Sequence, residues 1–516
     1  MGSCWSKKPH RQLHNRYHAS KRKSPKKLSQ SFNSEPNIVI LGAGAAGLAC
    51  AVALKKQGFE KVRIVEMSDR IGGRIRTMRF GDNYIDMGAQ WVNGEHGNVV
   101  FQMVKELNML DSSMDYFVRS EWIRSNGDRM RRSLVVKLIK VMRQIFNNRH
   151  ADLIHYEGTF GEYLVEKFAE ALSTPQFRNV DRKLAAEFLR TFKKMEGAAV
   201  DTDLSASGYD SFSPCQGDCF QNWRDVGYKQ FLRVLVDGDE MNEHGLLKDC
   251  IDFNTRVLKI NWDRFDGTVQ ISCENDNQYL ADHVVVTVSL GVLKKNTRLF
   301  EPILPLAKRK AINFLGFAQV CKIFAEFDEP FWAENWCGFN AMWRTDDLNQ
   351  PQLEWLSDIY SIHPYAYQPR VLLGWAAGPN TEIIESIDSK LLTQGIMYML
   401  RRFLPKMKIT QPKRLVSSRW SIDPAHLGAY SYPSLLTKSY NTGPDQLAQP
   451  VNLLAYEPTN SSYVSLFDLR PISVRPILLF AGEATSSKHY STVHGAVETG
   501  LREARRLTGY YQKDLY

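Results

Sequence analysis

The stretch "NIVILGAGAAGLACAVALKKQGFEKVRIVE" (residues 37–66) decides the fold. Its first five residues are a short apolar run, as a buried strand is. Glycines follow at 42, 44 and 47, and then a run of helical length that closes near Gly58. "KVRIVE" reads as a second strand ending on Glu66. Strand, glycine turn, helix and strand together make the βαβ unit that holds a dinucleotide. Gly42 permits the tight turn, Gly44 lets backbone approach a pyrophosphate, and Gly47 lets the helix pack on the strand. Ala46 belongs to the same turn. The helix start then aims unpaired amides at phosphate. Glu66, nineteen residues after Gly47, is placed for a ribose hydroxyl. An acid there favours an unphosphorylated ribose, as in FAD or NAD.

The flanks choose between those two. "SDRIGGRIRT" (residues 68–77) adds Gly72, Gly73 and Arg74, which suit further diphosphate contacts. Near the other end, an apolar strand at 477–480 meets Gly482 and Glu483. A helix is predicted from Val493 or Gly495 to Leu507. Thr492 and the amides after it are expected to bind an anion or a carbonyl. A cofactor touched by both ends of a 516-residue chain is a large one, which points to FAD.

Composition agrees with a globular enzyme: 43% hydrophobic and 24% charged. The length predicts two or three domains. No apolar run reaches the ~18 residues of a membrane-spanning helix. The first thirty residues are basic and polar, unlike a secretory signal. Residues 1–35 carry nine Lys or Arg and one acid, a net of +8 out of +10 for the chain. The body is therefore nearly neutral and does not read as a nucleic-acid binder. The tail is expected to be disordered. Gly2 and Ser6 fit an N-myristoylation pattern, Cys4 offers a palmitoylation site, and the basic run suits anionic lipid or a nuclear-localisation signal. Cys215 and Cys219, in "CQGDC", have no histidine pair beside them and read as free loop thiols. No metal is expected.

"FAQVCKIFAEF" (residues 317–327) reads as one alternating strand with Lys322 on the face of Val320 and Phe324. A lysine there is expensive to bury unless it is paired or neutral. Residues 131–195 read as helices, residues 317–378 as aromatic-rich strands, and residues 252–288 as alternating antiparallel strands.

"GAGAAGL", "IGGRI", "DMGAQWVNG", "VTVSLGVLK", "CKIFAEFDEPFW", "LLGWAAG", "SRWSIDPAHLGAYSY" and "GEATSSKHYSTVHGA" occur in this order. With them the chain resembles the flavin-containing amine oxidases, in the polyamine oxidase and spermine oxidase branch, from about residue 37 to 507. The resemblance implies an α/β fold of two domains: a Rossmann-type FAD domain over 37–112, 205–308 and 440–516, and a mixed α+β substrate domain over 113–204 and 309–439.

The resemblance also implies roles. Lys322 would hold a water at the reactive edge of the flavin. Gly88, Ala89, Gln90 and Trp91 would line the flavin. Glu483 would meet its ribityl or phosphate end, Val257 the adenine, and Thr492 and Val493 the ring edge. Trp420 and Tyr430 would wall the substrate cavity, where aromatic faces suit an amine. Lys322, Tyr430 and Thr492 are the candidate catalytic residues. Monoamine oxidases carry a cysteine where this chain has Ala429, so FAD is expected to be non-covalent. The branch's ionisable residue is replaced by Asn93, which cannot change charge. Glu196, read as a loop carboxylate, is the candidate for the missing acid, and Ser491 for a further substrate contact. The implied reaction is oxidation of spermine, spermidine or their N1-acetyl forms by oxygen. It yields an aldehyde, a shorter amine and hydrogen peroxide. Oxidation of another amine, including a histone-demethylase-like activity, and a membrane-attached flavoprotein without turnover are the alternatives. The ending "KDLY" is not a peroxisomal signal, so a cytoplasmic site, membrane-attached through the tail, is expected.

Overall fold

The computed structural model describes residues 35–113, 119–238, 242, 244–347, 351–456 and 471–513. Residues 37–66 form strand Ile38–Leu41, helix Ala45–Lys56 and strand Val62–Val65. The two strands pair in parallel, with Ile38 opposite Val62. The first strand is buried throughout, as a central parallel strand covered on both faces must be. It sits in a six-stranded sheet of order Val451–Tyr456, Pro471–Phe480, His283–Val286, Ile38–Leu41, Val62–Val65, Ile251–Asp252. All neighbours are parallel except the first pair.

Helix Val493–Lys513 runs six residues past its expected end and lies along helix Ala45–Lys56. The two approach so closely that a Cβ at Gly500 would lie 2.1 Å from the Ala46 carbonyl oxygen. The late helix thereby packs on the helix that follows the glycine turn.

The alternating stretch at 252–288 divides. Val257–Asn261, Val269–Cys273 and Gln278–Ala281 form the expected antiparallel strands. Ile251–Asp252 and His283–Val286 instead join the parallel sheet. The four residues His283–Val286 are all buried, so alternation ends where both faces are covered.

A second six-stranded sheet has the order Arg414–Ser417, Val320–Glu326, Gln368–Ala377, Ile359–Tyr365, Phe339–Met342, Glu121–Arg124. It is antiparallel apart from its last pair. The stretch at 317–327 is two strands, not one. Gly316–Ala318 pairs with Tyr430–Tyr432, and Val320–Glu326 enters the large sheet. The break at Gln319 sends one chain segment into both partners, with Ala318 opposite Tyr430 and Lys322 opposite Trp375.

The helical region forms Arg132–Leu153, Phe160–Leu172 and Arg182–Glu196. The last begins with Asp181 capping two backbone amides. It docks on the sheet through a bidentate pair, Arg124 Nε and Nη2 to Glu187 at 2.7 and 2.8 Å, and through Lys194 to Asp358 at 2.6 Å. Its C-terminal residue, Glu196, is buried.

Candidate active site

One cavity runs from the glycine turn to the large antiparallel sheet. Gly42, Gly44, Ala46, Glu66, Arg74, Gly88, Ala89, Gln90, Trp91, Asn93, Glu196, Val257, Lys322, Trp420, Tyr430, Glu483, Ser491, Thr492 and Val493 all line it. Gly47 lies behind the wall, where a Cβ would fall 2.0 Å from the Gly42 carbonyl oxygen. Gly2 and Cys4 lie outside the described residues.

At the turn, Gly42 has φ +105°, and a Cβ on Gly44 would meet no protein atom within 4 Å. The bare backbone of Gly44 therefore faces open space, as a close approach to pyrophosphate requires. Glu66 is buried and accepts from Ala43 N at 2.6 Å and Ser68 N at 2.8 Å, one bond on each oxygen. Its further lone pairs remain for ribose hydroxyls. These residues fit a dinucleotide.

Glu483 is held by protein donors. Its Oε1 accepts from Arg74 at 2.9 Å, and its Oε2 accepts from Ser431 N, Ser431 Oγ and Ser491 N at 3.2, 2.6 and 2.9 Å. Four donors commit this carboxylate to holding three segments of the wall. Arg74 also donates to the Ala429 carbonyl at 2.7 Å. Ser491 has φ +66° and donates its hydroxyl to the Ser431 carbonyl at 2.5 Å. Its proton is thus spent on backbone, not offered to a substrate. Thr492 Oγ1 donates to His489 O at 2.7 Å and accepts from Gly495 N at 3.0 Å. The side chain closes the helix start, leaving the segment's backbone to line the cavity.

Lys322 is 3% exposed. Its Nζ donates to Asp86 O at 2.8 Å and Gln90 Oε1 at 2.9 Å, and stands 4.6 Å from the Trp375 ring centre. Burial lowers its pKa toward neutrality, and the Asp86 carboxylate opposes that. Burial raises the Asp86 carboxyl in turn. Trp375 stacks on Trp91 at 5.2 Å and 15°. Trp375 went unread in the sequence, although it sits in "LLGWAAG" directly across the ladder from Lys322.

Tyr430 is held by a bond from Ala198 N to its hydroxyl oxygen at 2.8 Å, and burial pushes its pKa up to about 12. Trp420 is a packed wall: its Nε1 donates to Met87 O at 3.0 Å, and a Cβ on Gly88 would lie 3.0 Å from its ring and 1.8 Å from the Arg74 carbonyl oxygen. Glu196 is not a loop carboxylate. It ends helix Arg182–Glu196, is 4% exposed, and accepts from the Tyr209 hydroxyl at 2.8 Å. Tyr209 was also missed, because nothing in local sequence places it beside Glu196.

The profile described as "Flavin containing amine oxidoreductase" matches residues 45–508. The chain belongs to that family. Among this oxidoreductase's relatives is the human "Peroxisomal N(1)-acetyl-spermine/spermidine oxidase", 29% identical over 92% of this chain and 94% of that one. "Polyamine oxidase 1" of Oryza sativa subsp. japonica is 29% identical over 93% of this chain and 98% of its own. A solved putrescine oxidase variant, redesigned in cofactor binding, superposes with a TM-score of 0.63 at 16% identity, covering 92% of this chain and 99% of that one. The oxidoreductase therefore has the flavin amine oxidase fold and belongs with the polyamine oxidases. Among its described residues no helix is long and apolar enough to cross a membrane.

The cysteines of "CQGDC" are not two free loop thiols: Cys219 is disulfide-bonded, and Cys215 has histidine neighbours. The fold brings His489 and His494 to Cys215, with their ligand atoms all within 4.8 Å of one another. The histidines were invisible beside the cysteines because His494 lies 279 residues away in the chain.

Proposed function

We propose that this oxidoreductase oxidises a polyamine (spermine, spermidine or an N1-acetyl form) with non-covalent FAD and oxygen. The products are an aldehyde, a shorter amine and hydrogen peroxide. The observation that carries the substrate class is Glu196, a buried carboxylate in the same cavity as Lys322 and Tyr430. A polyamine keeps a cationic nitrogen several bonds from the reacting one. A carboxylate in an aromatic cavity stabilises such a cation by charge, whereas Asn93 offers it only a neutral hydrogen bond.

Bound flavin supplies the two-electron acceptor for the amine carbon and passes the pair to oxygen. The chain's residues supply position and protons. Gly42, Gly44, Glu66 and Arg74 would hold the dinucleotide. Gln90 and Trp91 would line the ring with Val493, and Val257 the adenine. Trp375, Trp420 and Tyr430 wall the amine's path and exclude water. A neutral Lys322 spends two N–H bonds on Asp86 O and Gln90, which leaves its lone pair to accept a water and take its proton. That water is the one that hydrolyses the imine. We divide the chain into the FAD and substrate domains at the sequence boundaries given above.

The test is anaerobic mixing of purified holoenzyme with spermine, spermidine, their N1-acetyl forms and simple monoamines, following flavin absorbance. Bleaching by a polyamine supports the reading. Bleaching by monoamines alone overturns the substrate class, and none with FAD bound overturns turnover. Release of flavin by acid precipitation checks the non-covalent bond.

A further inference from the structure

Cys215, His489 and His494 converge on the cavity wall from two distant parts of the chain. Cys215 Sγ is 3.8 Å from His494 Nε2, and the two imidazole rings are 4.8 Å apart at 60°. Cys215 and His494 both line the cavity. His489 is fixed from behind by Glu498, whose Oε2 is 2.7 Å from its Nδ1. A carboxylate behind an imidazole is the outer-shell partner that orients metal-ligating histidines. Gly495 makes the turn possible, since a Cβ there would lie 2.0 Å from the His489 carbonyl oxygen.

We propose that Cys215, His489 and His494 form a zinc site on the cavity wall, with water from the cavity as fourth ligand. One thiolate and two imidazoles are a ligand set of tetrahedral zinc, with sulfur at about 2.3 Å and nitrogen at about 2.0 Å. Such bonds imply ligand-to-ligand edges of roughly 3.5 Å. The present spread of up to 4.8 Å closes by side-chain rotation of about an ångström. Two bonds to nitrogen and one to sulfur form, and the thiol proton leaves to solvent. The Asn98 amide nitrogen stands 3.4 Å from His494 Nδ1, a long contact that gives way when Nε2 binds zinc and the ring proton moves to Nδ1. The cation would brace the Cys215 loop against the 489–494 turn, whose Ser491 and Thr492 line the flavin cavity.

The test uses chelator-treated holoenzyme and zinc alone. Isothermal titration is expected to give one site per chain. X-ray absorption of the loaded zinc, to which flavin is silent, is expected to show one sulfur and two or more nitrogen or oxygen neighbours. Cys215→Ser is expected to weaken zinc binding at least ~10-fold and remove the sulfur signal. No zinc uptake, equal affinity in wild type and Cys215→Ser, or a zinc spectrum without sulfur in wild type overturns the site. The last reading needs no variant to fold.

Discussion

Lys322 Nζ donates to Gln90 Oε1 across 2.9 Å, tying the centre of the antiparallel sheet to the loop that lines the flavin cavity. The bond joins residues 232 positions apart, and a second bond from the same amine to Asp86 O at 2.8 Å reinforces it.

Replacing Lys322 by Met keeps the volume and the burial but removes the amine. Amine turnover is expected to fall at least ~10-fold, the scale of a lost proton-transfer group. FAD is expected to stay bound. Stopped-flow flavin absorbance measures both; an unchanged rate removes Lys322 from the reaction.

Glu196→Gln keeps an acceptor for the Tyr209 hydroxyl and loses only the charge. A hydrogen bond to a charged group is worth ~1.5–3 kcal/mol, so KM for spermine should rise ~10- to 100-fold. A monoamine should be unaffected. Equal effects on both amines would show that the carboxylate does not read the distal nitrogen.

Gly44→Ala isolates the cofactor site. The added methyl meets no protein atom within 4 Å, so the apoprotein's Tm is expected to hold. The same methyl enters the space assigned to pyrophosphate, and overpacking there costs ~1–3 kcal/mol. FAD affinity should fall about 5- to 100-fold. Gly47→Ala, 2.0 Å from the Gly42 carbonyl oxygen, should instead lower the apoprotein's Tm. Flavin retention on a desalting column together with apoprotein melting separates the two.

His283 makes stability depend on pH. It is fully buried, with Nδ1 bonded to Pro476 O and Nε2 to the Tyr511 hydroxyl, both at 2.6 Å. Burial lowers its pKa to about 4, against a smaller rise from the Pro476 carbonyl. Between that value and the unfolded ~6.5, the unfolded chain binds a proton the folded chain refuses. Its contribution is complete above ~6.5 and falls as pH drops, by up to ~3 kcal/mol at pH 4. The slope of Tm against pH in this window should be flatter in His283→Gln; an identical slope assigns the acid loss elsewhere.

Local sequence carried the βαβ unit because its signals are local: two apolar strands, the turn glycines 42, 44 and 47, and the strand-end acid Glu66 fall within thirty residues. The helices at 131–195 were legible for the same reason, since a 3.6-residue period shows within one element. The strand stretch at 317–327 misled because a break between two sheets leaves no mark in alternation. Glu196 misled because its burial comes from a helix docked by Arg124 and Lys194, not from its neighbours in sequence.

Sequence by itself determined the dinucleotide turn, the family resemblance and many of the residues that line the cavity. Each of these is written in short-range spacing or in motif order. Tertiary structure alone decided what those residues do to one another. Glu483 is spent on four protein donors, Ser491 gives its proton to backbone, and Trp375 lies against Lys322. Cys215 meets two histidines near the other end of the chain. The physical reason is that hydrogen bonds and metal-ligand geometry act over a few ångströms of space, and chain separation does not enter them.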